Sequence, residues 1–162
     1  NNRNNWGIKN NRFLNKIKMD NFDLRDYLAE GKLYEAAMAC PAATQNLELN
    51  TKNRDASIKA DYIKYGPLNV DEPGDYWVDL AKYWDTTEEA AKKTLCGNCV
   101  AFDISPRMDE CMPGKVSDDD GRLGYCWMHN FKCHSARTCR TWAKGGPITE
   151  DSISYDWQER NS

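Results

Sequence analysis

Cys96-Gly97-Asn98-Cys99, Cys111-Met112-Pro113-Gly114-Lys115, Gly124-Tyr125-Cys126-Trp127 and Phe131-Lys132-Cys133, followed by Cys139, decide how this chain reads: six of its seven cysteines fall within residues 96–139. In Cys96-Gly97-Asn98-Cys99 one tight turn can aim both sulfurs at a single metal or at two corners of a cluster. Seven is an odd number and no secretory leader precedes it, so a pure disulfide framework would leave a thiol over. The pattern points instead to a soft metal or an iron–sulfur centre. Cys40, alone before Pro41, reads as a small buried hydrophobe.

Upstream of Cys96 the periodicity is helical. Glu72-Pro73 introduces a helix that sets Trp77, Leu80, Ala81 and Trp84 at i, i+3, i+4 and i+7, one strongly apolar face. Thr86 and Glu89 form a capping box for a helix running to Leu95. Thr51 caps an earlier helix carrying Ile58, Tyr62, Ile63 and Tyr65, which stops at Gly66-Pro67. Residues 40–50 read as an extended connector, and a short amphipathic helix from Asn21 presents Phe22, Tyr27, Leu28 and Leu33. Beyond Leu95 regular periodicity fails, and Asp118-Asp119-Asp120-Gly121 reads as an acidic turn without the ligand spacing of an EF-hand. The expected fold is therefore mainly α with an irregular, turn-rich C-terminal cysteine region: a small domain stapled by a metal or cluster, with an extended N-terminal arm. Residues 1–50 form the arm and a short docking helix, 51–95 a helical segment and 96–162 the cluster-binding region. Residues 96–147 lack the periodic apolar sequence for a core of their own, so a multidentate centre is expected to supply folding free energy there.

The net charge of −3 conceals an asymmetry. Residues 1–18 carry Arg3, Lys9, Arg12, Lys16 and Lys18 and no acid, whereas 19–95 sum to −6 and 96–162 to −2. A basic, Asn-rich arm before an acidic body suits docking on an acidic protein surface. Arg137, Arg140 and Lys144 sit among acids, which favours local ion pairs over direct nucleic-acid contact. No window approaches the length of a membrane span. The chain has no phosphate-cradling loop, no nucleotide fingerprint and no Ser-centred elbow, and His129 and His134 near Cys133 lack the placed acid and oxyanion hole of a nucleophilic site, so no enzyme is expected.

The order Cys96-x-x-Cys99, Cys111-Met112-Pro113-Gly114-Lys115, Gly124-Tyr125-Cys126-Trp127 resembles the cluster-binding pattern of high-potential iron–sulfur proteins over residues 96–127. The resemblance implies a [4Fe-4S] cluster on Cys96, Cys99, Cys111 and Cys126, lined by Tyr125, Trp127 and Phe102 and serving one-electron transfer. The helical preamble and the extra cysteines depart from that family. Cys133 and Cys139 stay open between a mutual disulfide, buried free thiols and substitutes for one ligand. A four-cysteine zinc site, Zn2+ holding a stapled adaptor, is the alternative centre, with His129 and His134 near enough in sequence to contribute.

A second resemblance is wider. Phe22-Asp-Leu-Arg-Asp-Tyr-Leu-Ala-Glu-Gly-Lys-Leu, Ala39-Cys-Pro-Ala-Ala-Thr-Gln, Tyr65-Gly-Pro-Leu-Asn, Cys96-Gly-Asn-Cys-Val-Ala-Phe-Asp and Arg137-Thr-Cys-Arg-Thr-Trp are similar to small proteins encoded by marine tailed phages, cyanophages especially. It implies a virion or assembly component, made in the bacterial host cytoplasm, that meets other virion proteins through its N-terminal arm and helix, with several copies in a symmetric particle. In that setting the cluster is a staple; a redox carrier is the alternative.

Overall fold

The computed structural model describes residues 39–161, so the arm and the helix expected from Asn21 lie outside the described residues. Every element below belongs to the compact unit Cys40–Ser162.

Residues 40–50 are not an extended connector. They form a single helical turn, α1 (Ala42–Gln45), and the start of α2 (Leu47–Lys59). The cap is Asn46 rather than Thr51: its side-chain oxygen accepts from the Leu49 amide at 3.0 Å, satisfying one donor of the first turn. The helix expected from Thr51 to Gly66-Pro67 is thus shifted: it ends at Lys59, leaving Tyr62, Ile63 and Tyr65 beyond it, and it has no apolar stripe. Polar side chains hold it instead: Asn50 Oδ1 accepts from the Lys132 amide and Asn53 Nδ2 donates to the Asn130 carbonyl, each at 2.7 Å.

The next helix follows its periodicity. In α3 (Tyr76–Tyr83) Trp77, Leu80 and Ala81 are buried, and Trp84 packs on them as the C-cap. α4 (Glu88–Ala91) is capped by Thr87, one residue later than the expected Thr86, and is a single turn that ends well short of Leu95. Ala91 closes this small core. A 3-10 turn, Cys96–Asn98, then carries the CxxC pair.

The expectation of a mainly α chain with an irregular C-terminal region is overturned beyond this point. β1 (Phe102–Asp103), β2 (Leu123–Cys126) and β3 (Phe131–His134) form an antiparallel sheet in the order β1-β2-β3, so the fold is mixed α and β. Strands of two to four residues, buried on both faces, show no polar–apolar alternation and carry no legible period. The β2–β3 turn depends on Asn130, whose φ of 56° lies in the left-handed region that asparagine tolerates better than most residues. Gly124 is required for close approach: a Cβ there would stand 2.4 Å from the Phe102 ring.

The register assigns the two faces. Phe102, Gly124, Cys126, Phe131 and Cys133 share one, since Phe102 and Phe131 both pair with Cys126 and Gly124 pairs with Cys133. Asp103, Leu123, Tyr125, Lys132 and His134 share the other. Behind that second face stand α5 (Pro106–Cys111) and α6 (Asp151–Arg160). Fully buried Asp103 organises the junction: it accepts from the Ser105 amide at 2.9 Å, from Trp127 Nε1 at 2.8 Å and from the Ser154 hydroxyl. Arg107 donates onward to Ser154 and Gln158 and stacks on the Tyr155 ring. Removing one donor leaves a buried acceptor short of a partner, so Trp127→Phe is expected to lower stability by about 1–3 kcal/mol. Chemical denaturation measures this, and an unchanged midpoint would remove Trp127 from the network.

The main core runs through both faces and includes Ala43, Ile63, Tyr65, Met108, Met112 and Ile148 together with Cys96, Cys99, Cys133 and Cys139. The cysteine region thus has a packed interior of its own, and the thiols are part of it.

Candidate metal centre

Three segments carry the free cysteines. The 3-10 turn supplies Cys96 and Cys99, the hairpin supplies Cys126 and Cys133, and the chain after β3 supplies Cys139. All five are free thiols; four are buried and Cys126 is partly so. Backbone contacts fix the segments against one another: the Cys96 amide donates to Arg137 O at 2.7 Å, Val100 N to Ala143 O at 2.9 Å, and Gly66 and Thr138 exchange two bonds of 3.0 and 2.7 Å. Gly146 allows the closest of these approaches, because a Cβ on it would lie 1.6 Å from the Cys99 carbonyl oxygen. Trp142 seals the turn, its Nε1 donating to Leu95 O and Asn98 Oδ1 at 2.9 Å each.

The sulfurs sense one another. Cys96 is in electrostatic reach of Cys99, Cys133 and Cys139, and Cys126 of Cys99, Cys133 and Cys139. The Cys126 thiol is held below its ordinary pKa first by the bond from Cys133 and then, against burial, by the amides of His129 and Met128. Burial raises Cys99, opposed by the amides of Ala143 and Ala101. Burial pushes Cys139 up to about 12, opposed by the Thr141 hydroxyl, at 3.1 Å, and the Thr141 amide. Cys133 is raised well above the usual thiol range by burial and by its neighbouring sulfurs.

A common local geometry recurs in this set. Cys99, Cys126 and Cys139 each receive an N–H from the residue two positions on, Ala101, Met128 and Thr141. Donors aimed at sulfur favour the thiolate, the form that binds metal. Cys133 is placed differently: it lies within a strand, and the amide two positions on, Ser135 N, is engaged with Arg122 O at 2.8 Å.

The expected centre on Cys96, Cys99, Cys111 and Cys126 is not the one assembled. Cys111, at the end of α5, is joined to Cys40 in a disulfide, so Cys40 is no isolated hydrophobe and Cys111 has no thiol to offer. Cys96, Cys99 and Cys126 remain free thiols, and Cys133 and Cys139, considered as substitutes, are free as well. Of the three aromatic residues expected to line the centre, Phe102 shares the sheet face of Cys126, whereas Trp127 donates to Asp103 on the other face. Tyr125 faces away from Cys126, stacking edge-to-face on Trp127 with ring centroids 4.8 Å apart. The wall is built from Phe102 and Phe131 on the thiol face, from Tyr65, edge-on to Phe131 at 4.8 Å, and from Tyr76, which is in electrostatic reach of Cys139 and Cys96.

The histidines take other partners. His134 Nε2 meets the Asp118 carboxylate at 2.9 Å, and Asp118 also accepts from the amides of Asp120 and Gly121, so the acidic triplet is the turn expected of it. His129 Nε2 lies 2.7 Å from Thr141 Oγ1. Among the described residues no three His, Cys, Asp or Glu side chains close around one point as a single ion needs.

Burial raises the phenols of Tyr65, Tyr76 and Tyr125 well above their ordinary value. A raised folded pKa adds stability that is complete below the unfolded value of about 10 and is lost as pH climbs above it. On alkaline titration these three of the eight tyrosines are expected to ionise only together with unfolding. Phenolate absorbance followed beside circular dichroism checks this; ionisation of all eight in the folded state would refute it.

No family model, curated protein or solved structure matches the chain. Among the described residues no helix is long and apolar enough to cross a membrane.

Proposed function

We propose that the chain is a [4Fe-4S] protein whose ligands are Cys96, Cys99, Cys126 and Cys139, with the cluster acting mainly as a structural staple in a phage particle. The observation that carries the reading is the set of free thiols, four of the five buried, that the 3-10 turn, the hairpin and the segment after β3 supply. Hydrogen bonds to sulfur are the standard support of cluster thiolates. The CxxC turn adds Cys96.

The surroundings suit such a group. Five free thiols, four of them buried, are a soft, sulfur-only donor set. Two buried polar atoms left without a hydrogen-bond partner, Arg137 Nε and Thr138 Oγ1, immediately precede Cys139 in the chain, and both can donate to an anionic sulfur centre. When bound, the cluster supplies coordination energy to the fold and a one-electron couple. The chain's own residues do the rest: Phe102, Phe131, Tyr65 and Trp142 exclude water, and the amides of Ala101, Met128 and Thr141 hold the sulfurs.

The virion role is supported by the phage resemblance at both ends of the chain and by the basic residues 1–18. Anaerobic reconstitution followed by iron and acid-labile sulfide analysis tests the centre: a broad visible absorption band with both elements is expected, whereas zinc and no band would favour the adaptor reading. Deleting residues 1–38 is expected to leave a loaded domain that no longer joins the particle; normal incorporation would place docking elsewhere.

A further inference from the structure

Tyr125, on the sheet face turned away from Cys126 and Cys133, forms with Trp127 the floor of a cleft of about 260 Å³. Pro41, Ala43 and Leu49 supply its apolar wall. Asn53 from α2, Asn130 from the β2–β3 turn, and Gln158 and Asn161 from the end of α6 supply carboxamides. None of the described residues lining the cleft carries a formal charge, so nothing there repays the desolvation of an ionic occupant. Three of the carboxamides are fixed by the protein at one end. Asn53 Nδ2 donates to Asn130 O at 2.7 Å, Asn161 Nδ2 donates to Trp127 O at 2.9 Å, and Asn130 Oδ1 accepts from the Tyr125 hydroxyl at 3.3 Å. The opposite ends, Asn53 Oδ1, Asn161 Oδ1 and Asn130 Nδ2, have no partner among the described residues. Two acceptors and a donor held around one small cavity are preorganised for a ligand whose neighbouring groups both donate and accept.

Hydroxyl groups do both. A pyranose ring carries them on adjacent carbons, with C–H groups between that suit the apolar wall. A nucleobase is disfavoured, because it needs an open aromatic face to stack on and Tyr125 and Trp127 are each 2 % exposed. We propose that this cleft binds one uncharged pyranose ring, free or at the end of a glycan, through hydroxyl contacts to Asn53, Asn130 and Asn161. Its volume lies just below the roughly 300 Å³ at which drug-sized sites begin, which limits the occupant to a single ring. The floor belongs to the sheet face turned away from the thiols, so the site is independent of any centre bound there.

The test titrates full-length, isotope-labelled protein with millimolar methyl glycosides of glucose, galactose, mannose and N-acetylglucosamine, following side-chain amide signals by nuclear magnetic resonance. Glucuronate and uridine serve as the charged and nucleobase probes. At least one neutral glycoside is expected to shift the signals of Asn53, Asn130 and Asn161, with glucuronate and uridine weaker by about tenfold or more. A trisaccharide ending in the same sugar separates the sources: tighter binding assigns the glycan end, equal binding the free sugar. Ala42, at the exposed rim of the cleft, has a side chain outside all these hydrogen bonds. Ala42→Phe is expected to fill the cleft and weaken binding by about tenfold or more. A panel in which no glycoside moves these signals overturns the proposal, as does uridine or glucuronate binding more tightly than every glycoside. Undiminished binding in folded Ala42→Phe overturns it too. The wild-type titration carries the first two outcomes by itself, so they stand even if the variant fails to fold.

Discussion

Cys99→Ser is expected to strip the protein of iron and to unfold residues 96–147 at ambient temperature. Cys99 accepts amide bonds from Ala101 and Ala143, and its segment is clamped to the chain around Gly146. A serine keeps the shape but offers a poor ligand to iron. The coordination energy of a structural site, on the order of 10 kcal/mol, is then missing from the folded state. That is comparable to the whole net stability of a domain of this size. Near-ultraviolet circular dichroism of Trp127 and Trp142, both packed around this region, reads the loss. A variant without iron that kept this signal and its melting temperature would show that the packing of Phe102, Met108, Phe131 and Ile148 holds the region by itself.

The second large effect concerns the disulfide. Cys40 and Cys111 are 71 residues apart in sequence, so opening their bond releases a long loop in the unfolded chain and is expected to cost about 4 kcal/mol by loop entropy. Cys40→Ser/Cys111→Ser should therefore melt well below the wild type yet keep its full iron and visible band. The same variant decides between two ligand sets. If Cys111 is a ligand, as the resemblance to high-potential iron–sulfur proteins implies, iron is lost with it; if the bond to Cys40 is its role, iron stays.

The physics of each element explains what was legible in advance. α3 could be read because one face meets a core, which forces Trp77, Leu80 and Ala81 into helical spacing. The acidic turn at Asp118 could be read because its side chain satisfies amides within three residues. α2 is legible only in part: residues 51–59 lie in the helix expected from Thr51, whereas its start at Leu47 and its fixing groups, Asn50 and Asn53, which bond to backbone about eighty residues away, leave no local mark. The hairpin was hidden by its brevity and by burial on both faces. Tyr125 illustrates the cost of that omission: next to Cys126 in sequence, it points to the opposite side once the pair is in a strand.

By itself the sequence determined the chemistry of the site, a crowd of soft sulfur donors among aromatics, and the CxxC turn that opens it. Spacing along the chain also singled out Cys96, Cys99 and Cys126. Which further cysteines belong with them was decided only in three dimensions. Cys111 follows the expected spacing but ends a helix beside Cys40, while Cys139, in a segment with no periodicity, is carried to the turn by backbone bonds around Arg137, Thr138 and Ala143. Ligand spacing is a property of neighbours on the chain, whereas a four-sulfur centre is a property of neighbours in space, and strand register and loop closure, which set those neighbours, leave no periodic mark in so short a sheet.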